Sequence, residues 1–313
     1  MGKLFDVKII KFIEDFPDEQ SCREHFRHVR EKEGIVCKRC GCEKHYWLKA
    51  KDMWQCAECE FRTTLRSGTM MENSNLPIRT WYLAMAFMTH SKKGISATEL
   101  QRQLGHKRYE PVWAMMHKIR AAMGQREDLY QLEGMIEIDE GYFVTETSKE
   151  DKENQKRGRG SKKKKNVGVM AESTPLEDLN TGKKSNQCRY FKMKFLENHK
   201  AENIDQMVEQ SIDEKSIVFS DKSTSYVNIS EYVEVHIVEK SSEEVTTSTL
   251  KWVHVAISNA KRTLLGIYHK IKGKYLQAYL DEFCYKLNRR YFGDRLFDRL
   301  AIAIAVGDWH KKG

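Results

Sequence analysis

Four cysteines fall into one arrangement: Cys37-x2-Cys40, fifteen residues, then Cys56-x2-Cys59. A two-residue gap lets both thiolates of a pair turn toward one tetrahedral ion, and two pairs supply the four sulfurs of a closed zinc site. Four thiolates leave no coordination position open for chemistry, so the zinc is expected to be structural. A segment of ~25 residues buries little core, and metal binding would supply its folding energy. Cys42 is close enough in sequence to replace a ligand, whereas Cys22, Cys188 and Cys284 read as buried apolar residues. A second group is acidic. Asp139 follows the alternating run Met135-Ile136-Glu137-Ile138, and Asp221 follows Ile217-Val218-Phe219-Ser220. Carboxylates at neighbouring strand ends can converge on Mg2+ or Mn2+, hard cations that take oxygen ligands. A pair of such ions stabilises the attacking and leaving oxygens of a phosphoryl transfer. Glu140 adjoins Asp139 but is expected on the other face of a strand.

Positioning these residues requires two kinds of scaffold. His45–Leu48 and Met53–Gln55 are short β-prone runs between the cysteine pairs, the layout of a zinc ribbon over residues 34–66. Before it, Phe5–Glu14 and Glu19–Glu31 read as two helices within residues 1–33, split by Phe16-Pro17. After it, residues 67–128 read as helical. Pro77 opens an apolar helix over Ile78–His90; Ser96 and Glu99 form a capping-box pattern; Gly105 stops that helix, and another covers Tyr109–Met123. The last two helices form a helix-turn-helix candidate for DNA. From residue 129 to 313 the pattern becomes α/β. Strands are expected at 135–140, 166–171, 189–195, 217–219 and 232–238. Helices are expected at 203–212, 250–268, 275–291 and 295–306. Such an order builds a mixed sheet flanked by helices.

The chain has 313 residues, with 54 Lys+Arg against 45 Asp+Glu, a formal charge of +9 that favours a polyanionic partner. With 40% hydrophobic residues it can bury a core, which argues against wholesale disorder. No apolar run approaches the ~20 residues of a membrane helix. The start Met1-Gly2-Lys3-Leu4 lacks an apolar signal core, so a cytoplasmic, nucleoid-associated protein is expected. The densest positive run is Lys156, Arg157, Arg159, Lys162, Lys163, Lys164 and Lys165, read as a phosphate-contacting flap.

The order of ribbon, helix-turn-helix, Glu137-Ile138-Asp139-Glu140 and Ser220-Asp221 continues into Trp252-Val253-His254, Asn259-Ala260-Lys261-Arg262 and Tyr279-Leu280-Asp281-Glu282-Phe283 with Leu287-Asn288-Arg289-Arg290. Together these closely resemble bacterial insertion-sequence transposases of the ISXO-like group, over roughly residues 15–306. The resemblance implies a ribonuclease H-like catalytic domain in residues 129–313. It also implies an acidic triad with a basic residue, two Mg2+ or Mn2+ ions, and double-stranded DNA partners (element ends and target). The implied activity is cleavage at terminal inverted repeats followed by strand transfer from a homo-oligomer. Asp139 and Asp221 resemble the first two acids. The third position departs from the Asp-Asp-Glu pattern, because His254 lies seven residues before Lys261; Asn259 is the rival. With Val253 at zero, Ile257, Ala260 and Leu264 fall within about 40° and define the core side of the helix. His254 and Lys261 share one flank near 100° and 80°, and Asn259 lies near 240°. His254 is therefore favoured as the third residue, with Lys261 and Arg262 contacting phosphate. Two alternatives stay open: a DNA-binding regulator derived from a transposase, and a metal-dependent nuclease without strand transfer.

Overall fold

The computed structural model describes residues 9–91, 93–146, 164–177, 184–198, 200–240, 249–269, 271–293 and 295–310. Two compact units divide the chain, Met1–Arg126 with Arg289–Gly313, and Glu127–Asn288. Among the described residues, no helix is long and apolar enough to cross a membrane.

The first unit holds α1 (Ile9–Asp15), α2 (Glu19–Glu33), the antiparallel sheet β1 (His45–Leu48), β2 (Met53–Cys56) and β3 (Arg62–Thr64), then α3 (Ile78–His90), α4 (Ala97–Gln103) and α5 (Tyr109–Glu127). Asp18 and Ser21 close a capping box at the start of α2. At α4, Ser96 accepts the Glu99 N–H, but the Glu99 carboxylate turns to Arg102 and Gln103, so only half of the expected box forms. Gly105 stops α4 at φ +62°, with the His106 N–H reaching back to the Gln101 carbonyl. The ribbon sheet seats against α2 through cation–π pairs: Arg27 over Trp47 at 4.5 Å and Arg30 over Trp54 at 5.0 Å. Arg30 also donates to the Thr64 and Leu65 carbonyls. A last helix, Arg295–Val306, belongs to this unit as well, which departs from the division at 129–313 expected from sequence. The reason is its apolar stripe. Phe297 stacks among Phe12, Phe16 and Tyr82, and the Met70 N–H bonds to the Ile304 carbonyl.

The second unit is a five-stranded sheet in the order β6-β5-β4-β7-β8. Its strands are β4 (Met135–Val144), β5 (Lys164–Glu177), β6 (Lys184–Leu196), β7 (Ile217–Asp221) and β8 (Val235–Glu239). β4, β5 and β6 run antiparallel; β7 lies parallel to β4, and β8 parallel to β7. β5 and β6 are longer than the expected 166–171 and 189–195, because their pairing continues outward from the apolar core segment that sequence reveals. This mixed sheet with helices on both faces is the ribonuclease H-like architecture expected. The helices of this unit are α6 (Ala201–Ser211), α7 (Lys251–Ile267) and α8 (Leu276–Asn288), and the C-terminal helix of the first unit is then α9. One face of the sheet buries Val167, Val169 and Ala171 against Val253, Ile257, Ala260 and Leu264 of α7 and Leu280 and Cys284 of α8. The other buries Ile136, Ile138 and Met170 against Ile204 and Val208 of α6.

The outer edge of β6 would expose unpaired backbone groups. Helix α8 satisfies them with two carboxamides about three turns apart. Asn288 accepts the Phe191 N–H at 2.7 Å and donates to the Phe191 carbonyl at 2.9 Å. Gln277 accepts the Phe195 N–H and donates to the Met193 carbonyl. Asn288 also donates to the buried Glu127 carboxylate. Asn288→Ala strips partners from all three groups at once. We expect destabilisation of this unit by about 3 kcal/mol and faster hydrogen exchange at the Phe191 amide by about 100-fold. Exchange within twofold of wild type would show that the edge does not depend on Asn288.

Candidate functional site

The cysteine cluster is built by two tight turns. Gly41 N–H returns to the Cys37 carbonyl, and Glu60 N–H to the Cys56 carbonyl. The pairing of His45 with Cys56 brings the two turns together. The four sulfurs lie within 4.8 Å of one another, with Cys37–Cys59 and Cys40–Cys56 each at 3.5 Å. A tetrahedral Zn–S4 site with ~2.3 Å bonds needs sulfurs roughly 3.8 Å apart, so the donor set fits zinc. The backbone N–H of Cys59, then that of Glu58, helps hold the Cys56 thiol down to about 6, while the neighbouring sulfurs push Cys40 up to about 12 and raise Cys59, so without a cation the four sulfurs share protons. Cys42 stands outside the set, its sulfur accepting the Lys44 N–H. Cys22, Cys188 and Cys284 are buried, the last two in the apolar core over one face of the sheet.

In the second unit, Asp139 lies mid-strand in β4 and Asp221 closes β7. Each is two residues past the parallel pair Glu137–Phe219, which brings them level on adjacent strands. Helix α7 can approach β4 closely here because Gly141 has no side chain; a Cβ would meet Ile257 at 3.3 Å. That approach places His254 Nε2 3.6 Å from Asp139 Oδ2. Asp139 Oδ1 accepts the Glu140 N–H at 2.7 Å. Burial raises the Asp139 carboxyl above its ordinary range; the Glu140 N–H and His254 oppose the rise, and Asp221 adds to it. The buried Tyr226 phenol is likewise raised, first by burial and then by Glu140, Asp139 and Asp221, which marks a concentration of acid around it. Two carboxylates level on adjacent strands, partly withdrawn from water, offer the oxygen donors that divalent cations take, although with His254 their ligand atoms do not close to the mutual spacing that the four cysteines show.

The expected flank of α7 carries through. Val253, Ile257, Ala260 and Leu264 are buried, His254 is half-buried beside Asp139, and Asn259 is exposed about 140° round the helix from His254. Lys261 does not reach the acids: its ammonium sits over the Phe143 ring at 5.7 Å, two strand steps beyond Asp139 on the same face. Arg262 is exposed. Glu140 lies on the opposite face, where Asn166 donates to it at 2.7 Å, because β4 continues through Val144. Of the basic run, Lys164 and Lys165 open β5 opposite Val144 and Phe143; Lys156, Arg157, Arg159, Lys162 and Lys163 lie outside the described residues. In the helix-turn-helix candidate, Lys107, Arg108 and Tyr109 are exposed, whereas Val112, Met116, Ile119 and Met123 of α5 are buried.

Two neighbours of the acids carry roles that sequence reasoning missed. Ser220, fully buried, donates to the Asp221 carbonyl at 3.0 Å and meets His236 Nε2 at 2.8 Å, bracing the end of β7. Glu137, 3% exposed, accepts the N–H groups of Trp252 and Val253 at 2.6 and 3.1 Å. Burial pushes the Glu137 carboxyl up to about 7. Strand alternation alone signals this residue: two positions before Asp139, it must share the inward face.

The model of the ISXO2-like transposase domain matches residues 131–288, and the transposase zinc-ribbon domain matches residues 17–62. The chain belongs to the ISXO2-like transposase family. The domain match covers the second unit almost end to end, and the ribbon match takes in α2 as well as the cysteines. A protein of the transposable element ISH50 from Halobacterium salinarum, itself described as uncharacterized, is 23% identical over 151 residues. That stretch is 47% of this chain and 50% of the relative, so the chain spans about half the length of this curated relative.

The thiolate cluster yields a direct measurement. Purified protein is expected to carry one zinc per chain by elemental analysis, and Cys56→Ser to lose it with faster amide exchange across β1–β3. Protein free of zinc with β1–β3 fully protected would contradict a structural metal.

Proposed function

We propose that this chain is the transposase of an insertion sequence, binding terminal inverted repeats and catalysing DNA cleavage and strand transfer. One observation carries the reading: Asp139, Asp221 and His254 gather on the α7 face of a ribonuclease H-like sheet, in a chain of a transposase family. Asp139 and Asp221 would hold Mg2+ or Mn2+, and the metal, when bound, supplies charge neutralisation at the scissile phosphate and activation of the attacking oxygen. His254 sets the charge beside Asp139: an imidazole in place of a third carboxylate leaves the site one negative charge poorer. It is a weak ligand for Mg2+ and a better one for Mn2+. Lys261, Arg262, Lys164 and Lys165 would lie along the DNA backbone. Zinc ribbon and helix-turn-helix would contact the element ends, with Lys107 and Arg108 facing DNA. Binding should then weaken with salt, by a log–log slope of about −0.9 for each phosphate neutralised. Synapsis of two element ends calls for a homo-oligomer on DNA, and such a protein would associate with the nucleoid.

A second reading rests on the same His254. A site without a third carboxylate is also what a transposase-derived DNA-binding regulator would carry. The test uses duplexes containing the element end, with Mg2+ or Mn2+. Cleaved and joined products are expected. Asp139→Ala and Asp221→Ala should each lower the cleavage rate by on the order of 1,000-fold while leaving DNA binding intact. Specific binding without cleavage under either ion would favour the regulator. Cut but never joined ends would favour a nuclease. Full activity in both Asp variants would remove these residues from the site.

A further inference from the structure

Helix α7 carries His254, and among the described residues its start has no local side-chain cap. Its N-cap residue, Leu250, offers no side-chain acceptor, and the amides of the first turn need one. An N-cap side chain ordinarily accepts from the second or third helical N–H. Those two donors, Trp252 and Val253, both bond to Glu137 Oε2 at 2.6 and 3.1 Å. Glu137 therefore does the work of an N-cap from another element of the fold. Its carboxylate also lies at the positive end of the helix dipole.

The placement has a geometric consequence. Glu137 and Asp139 are two residues apart on one strand face, about 7 Å along β4. Val253 and His254 are consecutive on α7, and His254 N–H makes its helical bond to Leu250 O at 3.3 Å. β4 thus grips α7 twice: through Glu137 to the amides of Trp252 and Val253, and through Asp139 toward the His254 imidazole at 3.6 Å. A rotation of α7 by one residue, about 100°, would carry His254 away from Asp139. Without Glu137, that rotation is opposed by the Asp139–His254 contact and by the packing of Val253, Ile257, Ala260 and Leu264, and neither holds the first-turn amides of α7.

We propose that Glu137 is the positioning residue of the site, fixing the rotation of α7 so that His254 faces Asp139. The proposal rests on reading Asp139, Asp221 and His254 as the catalytic group.

A double-mutant cycle in the full chain tests it, with cleavage of an end-containing duplex and calorimetric Mn2+ binding as two readouts. If Glu137 acts through His254, Glu137→Ala should cost about as much activity and Mn2+ affinity as His254→Ala, on the order of tenfold. In the His254→Ala background it should then cost less than about twofold more. Glu137→Gln keeps an oxygen acceptor in place and should stay within about threefold of wild type. Should Glu137→Ala not fold, Glu137→Asp, shorter by one methylene, carries the same cycle. Additive losses in the double variant, or full activity and Mn2+ affinity in the variant used, would overturn the proposal. Asp139→Ala separates the two levels. If it is inactive while the cycle is additive, only the positioning role fails; if it is fully active, the reading of the site fails.

Discussion

A buried carboxylate at a helix N-terminus organises the second unit. Withdrawing Glu137 from water costs several kcal/mol, and burial pushes its carboxyl up to about 7. Two short backbone N–H bonds and the helix dipole offset that cost. The same device occurs in the first unit, where α3 begins at Pro77 without a local side-chain cap. There Glu19 of α2 accepts the amides of Ile78 and Arg79, at 2.9 and 2.8 Å. In each case a polar bond made across the fold replaces a cap that the local sequence does not provide. Such a cap differs from a local one in what it constrains. A serine at the N-cap fixes the helix end relative to itself, whereas Glu137 fixes the helix relative to a strand.

The strand in question is the centre of the sheet. β4 lies between β5 and β7, and its two faces belong to separate cores. Movement of Asp139 would therefore disturb packing on both sides, and protein interiors resist this because they are close-packed. The edge carries its own restraint. Asn288 and Gln277 turn one face of α8 into a surrogate strand for β6, so β6 has no need of another chain at those positions. The Asn288 and Asp281 stretch that carries part of the family resemblance is thus tied to the sheet edge: Gln277 bonds Asp281, and Asn288 bonds Glu127.

Much of this was legible in the residues. The cysteine spacing indicated the four sulfurs, and the 3.6-residue repeat of α7 identified the buried flank and hence the side on which His254 lies. The order of strands and helices indicated a mixed sheet. What could not be read are relations between distant segments. Nothing local in Arg295–Val306 says that Phe297 will pack with Phe12, Phe16 and Tyr82. Apolar faces carry no address, so a helix adjacent in sequence to one core can complete another. The extent of β5 and β6 was hidden for a related reason. Backbone pairing extends strands past their apolar centres, into polar residues that have no strand signature of their own. Glu137 was visible as part of an alternating pattern. Its partners were not, since backbone amides 115 and 116 residues away leave no trace in side-chain composition.

On the proposed reading, His254 fits the electrostatics around it. Asp139 is already raised by burial and by Asp221, and Tyr226 senses three acids. A third carboxylate beside Asp139 would add repulsion to a site where charge is poorly solvated, and a metal would be needed to relieve it. An imidazole 3.6 Å from Asp139 adds none, and when protonated it stabilises the carboxylate. On the proposed reading, the acids can thus be held together before any cation arrives, at the expense of one strong oxygen ligand. The positioning of His254 then matters more than that of a carboxylate would. A carboxylate attracts a divalent ion from many directions through its charge, whereas an imidazole binds only along the lone pair of one ring nitrogen. A directional ligand needs a helix whose rotation is fixed, and Glu137 is placed to fix it.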